Sequence, residues 1–427
     1  MKIPTVVRLP GKDNYAVMST DRIVFALDAS DSDLSSVFAE EEKIYKTFLE
    51  NHNVNRTVKV ISERSTSIAL IPTMDCNLKC IYCYARGGDE KNIISFELAQ
   101  KAIRSIGPAC GFKHLDLYLV GGGEPLLKFD IVKQIVSFAE STFESVRLHI
   151  VSNGTFEDEV INWLTNKDCR VRISFDGAMQ SVQRPYRDYV TPTALKVKKN
   201  IAELVKRGVP VIVQCIVTNE SLGCLRDTVS EISKLGVKVI KIEPMLATAI
   251  SRGSKSLMPN PIKYADALLD TIRFVADTDM DMKIDTAYFS APSESPFCGM
   301  GYGNKTITPE GLITACVEVV RSSDPYAEQV IYGKMTDKGM FFDAQKLETL
   351  KSVNPTSTEA CEACNLRLIC HGGCPMANIW QTGFKPSRSI FTCAVEKRLL
   401  PNLLLEIATN PRVSKTVLEN TEISLLD

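Results

Sequence analysis

The sequence predicts an α/β protein: a partial (β/α)6 barrel of the TIM type, a small α+β extension ahead of it and a cysteine-rich domain after it. Three observations carry this. Between Thr66 and Tyr288, apolar runs of strand length alternate with helical stretches, the pattern of a parallel sheet. Six such units occur, fewer than the eight that close a βα barrel. Beyond residue 290 the alternation stops and cysteines become frequent.

The chain has 427 residues, room for two or three domains with a sizeable core. Its net charge is −1, from 50 basic and 51 acidic residues, which argues against a nucleic-acid or membrane-surface partner. No apolar run reaches membrane-spanning length, and Met1-Lys2-Ile3-Pro4 does not start a signal peptide. Fourteen cysteines without an export signal point to metal rather than disulfides, in a reducing, cytoplasmic setting.

Residues 1–65 form the first unit. Val6–Leu9 and Arg22–Leu27 read as strands with a turn at Gly11–Asn14 between them, and a helix is expected from about Asp33 to His52. The expected barrel, residues 66–290, has strands ending at Pro72, Val120, Ser152, Ser174, Thr218 and Pro244. Helices are expected around 95–106, 129–143, 157–166, 193–207, 222–235 and 262–276. In βα barrels the working residues sit at the C-terminal ends of strands, and every polar motif of this segment falls there.

The first of these motifs holds Cys76, Cys80 and Cys83, spaced C-x3-C-x2-C on the loop that leaves the first barrel strand. So short a loop can bend three sulfurs around one small object, and an iron–sulfur cluster is the first candidate. A cubane has four irons, so three thiolates leave one iron open to a non-protein ligand. Zinc is the rival, but a structural zinc site wants four ligands and no fourth donor lies nearby. Three buried free thiols are the remaining alternative.

With Tyr82 as its aromatic, the string C-N-L-K-C-I-Y-C-Y resembles the signature of radical S-adenosylmethionine (SAM) enzymes. The resemblance implies that the open iron binds the amino and carboxylate groups of SAM, with Tyr82 among the cofactor contacts. After the second strand comes Gly121-Gly122-Gly123-Glu124. Consecutive glycines allow close approach of the backbone to a ligand, and Glu124 can accept from an ammonium group. In the family, Gly122, Gly123 and Glu124 would grip the SAM amino group. Ser152 and Asn153, in S-N-G-T after the third strand, offer groups where a ribose could lie. After the fourth strand, S-F-D-G and Q-R-P resemble peptide-modifying members, placing Ser174 and Arg184 at the SAM carboxylate, with Arg187 as a rival. Cys110, Cys169, Cys215 and Cys224 fit no ligand pattern and read as buried structural thiols, and the four histidines form no cluster.

Residues 291–400 carry Cys298, Cys316, Cys361, Cys364, Cys370, Cys374 and Cys393. This pattern resembles the SPASM domain, which holds two auxiliary 4Fe–4S clusters, although C-x2-C pairs also build zinc sites. The resemblance implies three 4Fe–4S clusters in all. Cys361, Cys364, Cys370 and Cys393 would hold the distal auxiliary cluster, and Cys298, Cys316 and Cys374 the proximal one. No thiol lies in 291–297 or between Cys298 and Cys316, so one proximal iron lacks a thiolate; a substrate cysteine could fill that place, with a water, a serine or Glu294 as the alternatives. Residues 401–427 form a tail with no nameable chemistry.

The implied activity is that of a radical SAM/SPASM peptide maturase, most like the thioether-forming sactipeptide and ranthipeptide types. A 5′-deoxyadenosyl radical would abstract hydrogen from a precursor peptide and a cysteine sulfur would be joined to carbon. Carbon–carbon or carbon–oxygen crosslinking, epimerisation and anaerobic sulfatase maturation are the alternatives. Sulfatase maturases commonly place an acid directly after the second SPASM cysteine, where this chain has Val317, with Glu318 one further. Implied partners are an electron donor such as flavodoxin or ferredoxin and a leader-bearing precursor peptide, which the first unit could bind; the alternative for that unit is a packing extension of the barrel.

Overall fold

The computed structural model describes residues 5–10, 14–19, 22–26, 65–286, 288–289, 296–353, 358–385, 387–417 and 422–425. Strands Thr5–Arg8 (β1), Tyr15–Ser19 (β2) and Arg22–Ala26 (β3) form an antiparallel meander, with Val6 opposite Val17 and Val17 opposite Val24. The outer two lie where the sequence places strands, whereas β2 was not expected. Its buried face is made by Ala16 and Met18, both wholly buried, and neither is a strong strand former. The helix expected from 33 to 52 lies outside the described residues.

The parallel sheet is built from Ser65–Leu70 (β4), His114–Leu119 (β5), Ser145–Ser152 (β6), Cys169–Ser174 (β7), Val211–Val217 (β8) and Val239–Pro244 (β9). Helices Phe96–Ser105, Phe129–Thr142, Asp158–Leu164, Ala194–Lys206 and Leu225–Lys234 connect them, each close to its expected span. Adjacent strands pair in parallel from β4 through β9. An α/β fold with an open parallel sheet is therefore what the alternation predicted.

A short strand Lys283–Asp285 (β10) follows the helix Pro261–Asp277. The sheet does not stop at β4. Thr306–Ile307 (β11) adds parallel to β4, then Leu312–Thr314 (β12), Ile331–Thr336 (β13) and Gly339–Phe342 (β14) continue antiparallel. Pairing covers the edge that β4 would otherwise expose. Residues 299–352 thus fold in one compact unit with 61–259, and residues 1–60, 260–298 and 353–427 form a second.

In the second unit, helix Ile390–Thr409 buries Leu399, Leu400, Leu403 and Leu404 and packs on Pro261–Asp277. The expected tail is ordered structure: helix Pro411–Val417 is followed by Glu422–Leu425 (β15), which pairs parallel to β3 and makes the meander four-stranded. No helix of the described residues is long and apolar enough to cross a membrane.

Candidate active site

The loop carrying Cys76, Cys80 and Cys83 leaves β4 and is tied down from several sides. Lys79 N donates to Pro185 O at 2.8 Å and Ile81 N to Gln183 O at 2.9 Å, so the Q-R-P segment forms one wall. Arg187 donates from Nε to Cys76 O at 2.9 Å and from Nη2 to Gly87 O at 2.7 Å. Arg252 N donates to Cys83 O at 3.0 Å. Gly123 N and Glu124 N donate to Thr73 O and Asp75 O, both at 2.8 Å.

These bonds change the reading of the glycines. A Cβ on Gly123 would sit 1.9 Å from Asp75 O, and one on Gly122, whose φ is +64°, 2.7 Å from Ile71 Cγ2 and Met74 Sδ. The close approach is to the cysteine loop itself. Glycine here seats the loop on the second strand's turn.

Glu124 is 5% exposed. Its Oε1 accepts from Leu126 N at 3.1 Å and Ser152 Oγ at 2.9 Å, and its Oε2 from Asn153 N at 2.6 Å. Burial raises its pKa to about 7, against the pull of those three donors. Among the described residues no cation pairs with it. Ser152 and Asn153, expected near a ribose, thus orient the Glu124 carboxylate. Asn153 Nδ2 also donates to Asn77 Oδ1 at 2.8 Å and lies 3.9 Å from Cys76 Sγ.

Asp176, from S-F-D-G, is the second buried carboxylate and the residue whose importance the sequence did not reveal. Its Oδ2 accepts from the Tyr82 hydroxyl, from Gln183 Nε2 at 2.9 Å and from Arg184 Nε at 2.9 Å, and its Oδ1 accepts from Ile216 N at 2.9 Å. The Arg184 guanidinium lies 5.1 Å over the Tyr82 ring. Among the described residues, the two Nη groups of Arg184 make no hydrogen bond, whereas Arg187 is engaged with loop carbonyls. That favours Arg184 over its rival as the group left for an anion. Ser174 ends β7, half-buried.

Two of the loop thiols, Cys76 and Cys80, are shifted by burial and by their neighbours. Burial pushes Cys76 up, with Cys80, Glu124 and Cys83 adding to it. Burial pushes Cys80 up to about 12, with Arg184 pulling back. Among the described residues no three His, Cys, Asp or Glu side chains gather closely enough for a single metal ion. The grouping is one of neighbouring desolvated thiols, which need a cationic partner to ionise. A buried carboxylate ringed by donors, with no cation beside it among the described residues, fits the ammonium of SAM.

A similar grouping occurs in the other compact unit. Burial raises Cys370 and then Glu396, Cys393 and Cys364 add to it, while Cys393 is raised by burial and by Cys361 and Cys364. These are the four thiols assigned together as a distal set. Glu396, 2% exposed and one helical turn from Cys393, finds no hydrogen bond of ordinary length for either oxygen. Burial and Cys364 hold it well above the usual carboxylate range. Cys298 and Cys374 are half-buried in this same unit, and Cys316 is half-buried in the barrel unit. Cys316 and Glu318 are near enough to Tyr84, beside Cys83, to raise its hydroxyl together with burial. Cys169 and Cys215 are buried as expected, but Cys110 is exposed, on the surface turn Pro108–Cys110, and Cys224 is half-buried.

Residues 70–233 match the family model of the Radical SAM superfamily, so this segment is a radical SAM domain. The chain is 31% identical over 195 residues to an uncharacterized protein of Methanocaldococcus jannaschii, covering 44% of this chain and 65% of that one. It is 32% identical over 183 residues to a probable GTP 3′,8-cyclase of Methanopyrus kandleri, covering 42% and 57%. To the sporulation killing factor maturation protein SkfB of Bacillus subtilis it is 26% identical over 259 residues, covering 58% and 60%. The chain thus spans about 57–65% of the length of these curated relatives. Among solved structures, native anSMEcpe with bound AdoMet superposes with a TM-score of 0.67 at 17% identity, covering 80% of this chain and 98% of that one. Streptococcus suis SuiB bound to precursor peptide SuiA gives 0.58 at 14% identity, covering 86% and 82%. At those identities the likeness concerns the fold.

Proposed function

We propose that the protein is a radical SAM enzyme that modifies a ribosomally made precursor peptide, in the cytoplasm, by joining a cysteine sulfur to carbon. The observation that carries the SAM site is Glu124: a buried carboxylate with three donors, no cation among the described residues, and the cysteine loop hydrogen-bonded to its own backbone. Cys76, Cys80 and Cys83 would hold the SAM-binding cluster, Glu124 the ammonium group, and Ser174 with Arg184 the carboxylate. When bound, cluster and SAM would supply a carbon radical able to take hydrogen from an unactivated C–H bond. The chain's own part is orientation and water exclusion. Asp176 fixes Tyr82 and Arg184 under the loop, and Ser152 and Asn153 fix Glu124.

The peptide assignment is supported by the similarity to SkfB, a maturation protein by name. Two auxiliary clusters on the SPASM cysteines would complete the set, with a substrate cysteine at the open proximal iron and electrons delivered by a flavodoxin or ferredoxin. Sulfatase maturation stands as the second reading, because Glu318 lies near Tyr84 and the loop, where an acid could take a proton from the oxidised residue. In anaerobically reconstituted protein, Cys80→Ala is expected to abolish 5′-deoxyadenosine formation while auxiliary-cluster absorbance persists. 5′-Deoxyadenosine above the enzyme-free control would refute the assignment.

A further inference from the structure

We propose that the inner face of the parallel sheet is a carboxylate-recognition wall, built on Arg170 and Arg172, for a substrate peptide with acidic side chains at alternate positions. The inference rests on the peptide-modifying reading above and names the class of peptide. Along β5 to β7 one set of alternate residues is buried, among them Leu117, Ile150, Val171 and Ile173. Cys169 belongs to that set and its Sγ donates to Leu164 O of helix Asp158–Leu164, so that set faces the helices. The opposite set turns inward: Asp116, Tyr118, Arg147, His149, Arg170 and Arg172.

Register places Tyr118 beside His149 and His149 beside Arg170 in one row across three strands. Tyr118 stacks on His149, with ring centroids 4.3 Å apart, and its hydroxyl senses Asp116, Arg170, Arg172 and Arg147. The group is therefore one neighbourhood. Most of its charges are spoken for. His149 Nε2 is 2.9 Å from Asp116 Oδ1, and Arg147 Nε is 3.5 Å from Asp168 Oδ2. Further along the same face Lys241 Nζ is 3.5 Å from Glu243 Oε1. Arg170 and Arg172 have no ion pair and no hydrogen bond among the described residues, and Arg170 is exposed.

Two unpaired guanidinium groups on one face of one strand repel each other, and an anion relieves that. Residues two apart on a strand stand about 6.6–6.8 Å apart, the spacing of alternate side chains in an extended peptide. Glu-x-Glu, laid along the strand, would present one carboxylate to each arginine, each able to bind bidentately. Ser174, at the end of the same strand and face, leads from the wall to the SAM site.

The test uses the anaerobically reconstituted full chain with SAM and two short fluorescent peptides that differ only in Glu-x-Glu against Gln-x-Gln. At low salt the Glu peptide is expected to bind about tenfold more tightly, a preference that shrinks as salt is added. It should fall to within about twofold in R170Q/R172Q and survive in R170K/R172K, with SAM affinity unchanged in both. Equal binding of the two peptides by the unmodified protein overturns the proposal whatever the variants do, as does a preference that survives R170Q/R172Q. GTP displacing the Glu peptide and binding more tightly than it, through the same arginines, would make the wall a phosphate site and overturn the peptide assignment. SAM cleavage without peptide is measured alongside. If it is absent, the radical SAM reading fails; if it is present without peptide discrimination, the wall alone fails.

Discussion

Glu124 holds three donors within 3.1 Å and has no cation beside it among the described residues. A carboxylate desolvated to this degree favours its protonated form, which is why its pKa rises to about 7 from the ordinary 4.5. An ammonium ion binds the ionised form, so SAM affinity should weaken below pH 7, approaching about tenfold per unit, and level off above it. In the SAM-free protein the sign is opposite: ionising this group costs stability, increasingly as pH rises from about 4.5 to about 7. Glu124→Gln keeps the shape and removes the charge. It should cost about 1.5–3 kcal/mol of SAM binding and flatten the pH slope. Calorimetry at several pH values checks both; an affinity within about twofold of the parent would take Glu124 out of the site.

At the scale of elements, the loop after β4 and the turn after β5 act as one piece, because Gly123 N and Glu124 N hydrogen-bond to Thr73 O and Asp75 O. Gly123→Ala would drive a methyl into the Asp75 carbonyl, 1.9 Å away, against backbone that cannot swing aside. Expected results are a stability loss of about 1–3 kcal/mol in metal-free protein and poor iron loading at the three-cysteine loop. An unchanged thermal melt and full loading would show that the two segments move apart freely.

That seating was not legible in the sequence. The triple glycine announced a close approach but not what approaches. Likewise S-F-D-G announced a strand end, whereas the role of Asp176 depends on Gln183, Arg184 and Ile216, which only the folded chain brings together. What was legible is what local periodicity encodes: the six parallel strands and the helices between them match the expected spans closely. The strands β11 and β12 were missed because they are two and three residues long, too short to show a period, and β13 and β14 because they bury only Tyr332 between them and so show no alternation. β2 was missed because alanine and methionine fill its buried face.

Over the whole molecule, two of the thiol groups each lie within one compact unit, whereas of the proximal set Cys298 and Cys374 lie in one unit and Cys316 in the other. Cys76, Cys80 and Cys83 lie in the unit of residues 61–259 and 299–352. Cys361, Cys364, Cys370 and Cys393 lie in the other, where each of Cys370 and Cys393 senses two of the remaining members. A cluster draws its ligands from one neighbourhood, so if both groups hold clusters they should load independently. Replacing Cys370 and Cys393 together by alanine removes two of the four distal thiolates. It should lower iron content by about four atoms per chain and leave SAM-dependent 5′-deoxyadenosine formation without peptide in place. The buried Glu396 sharpens the expectation, since emptying the site beside it leaves a carboxylate without hydrogen-bond partners, and the metal-free double variant should melt lower than the loaded protein. Iron and sulfide assays, Mössbauer spectra and SAM cleavage on the same preparation decide the matter. Loss of SAM cleavage alongside the distal iron, with the double variant still folded by circular dichroism, would mean that the two groups are not independent and that loading passes from one unit to the other.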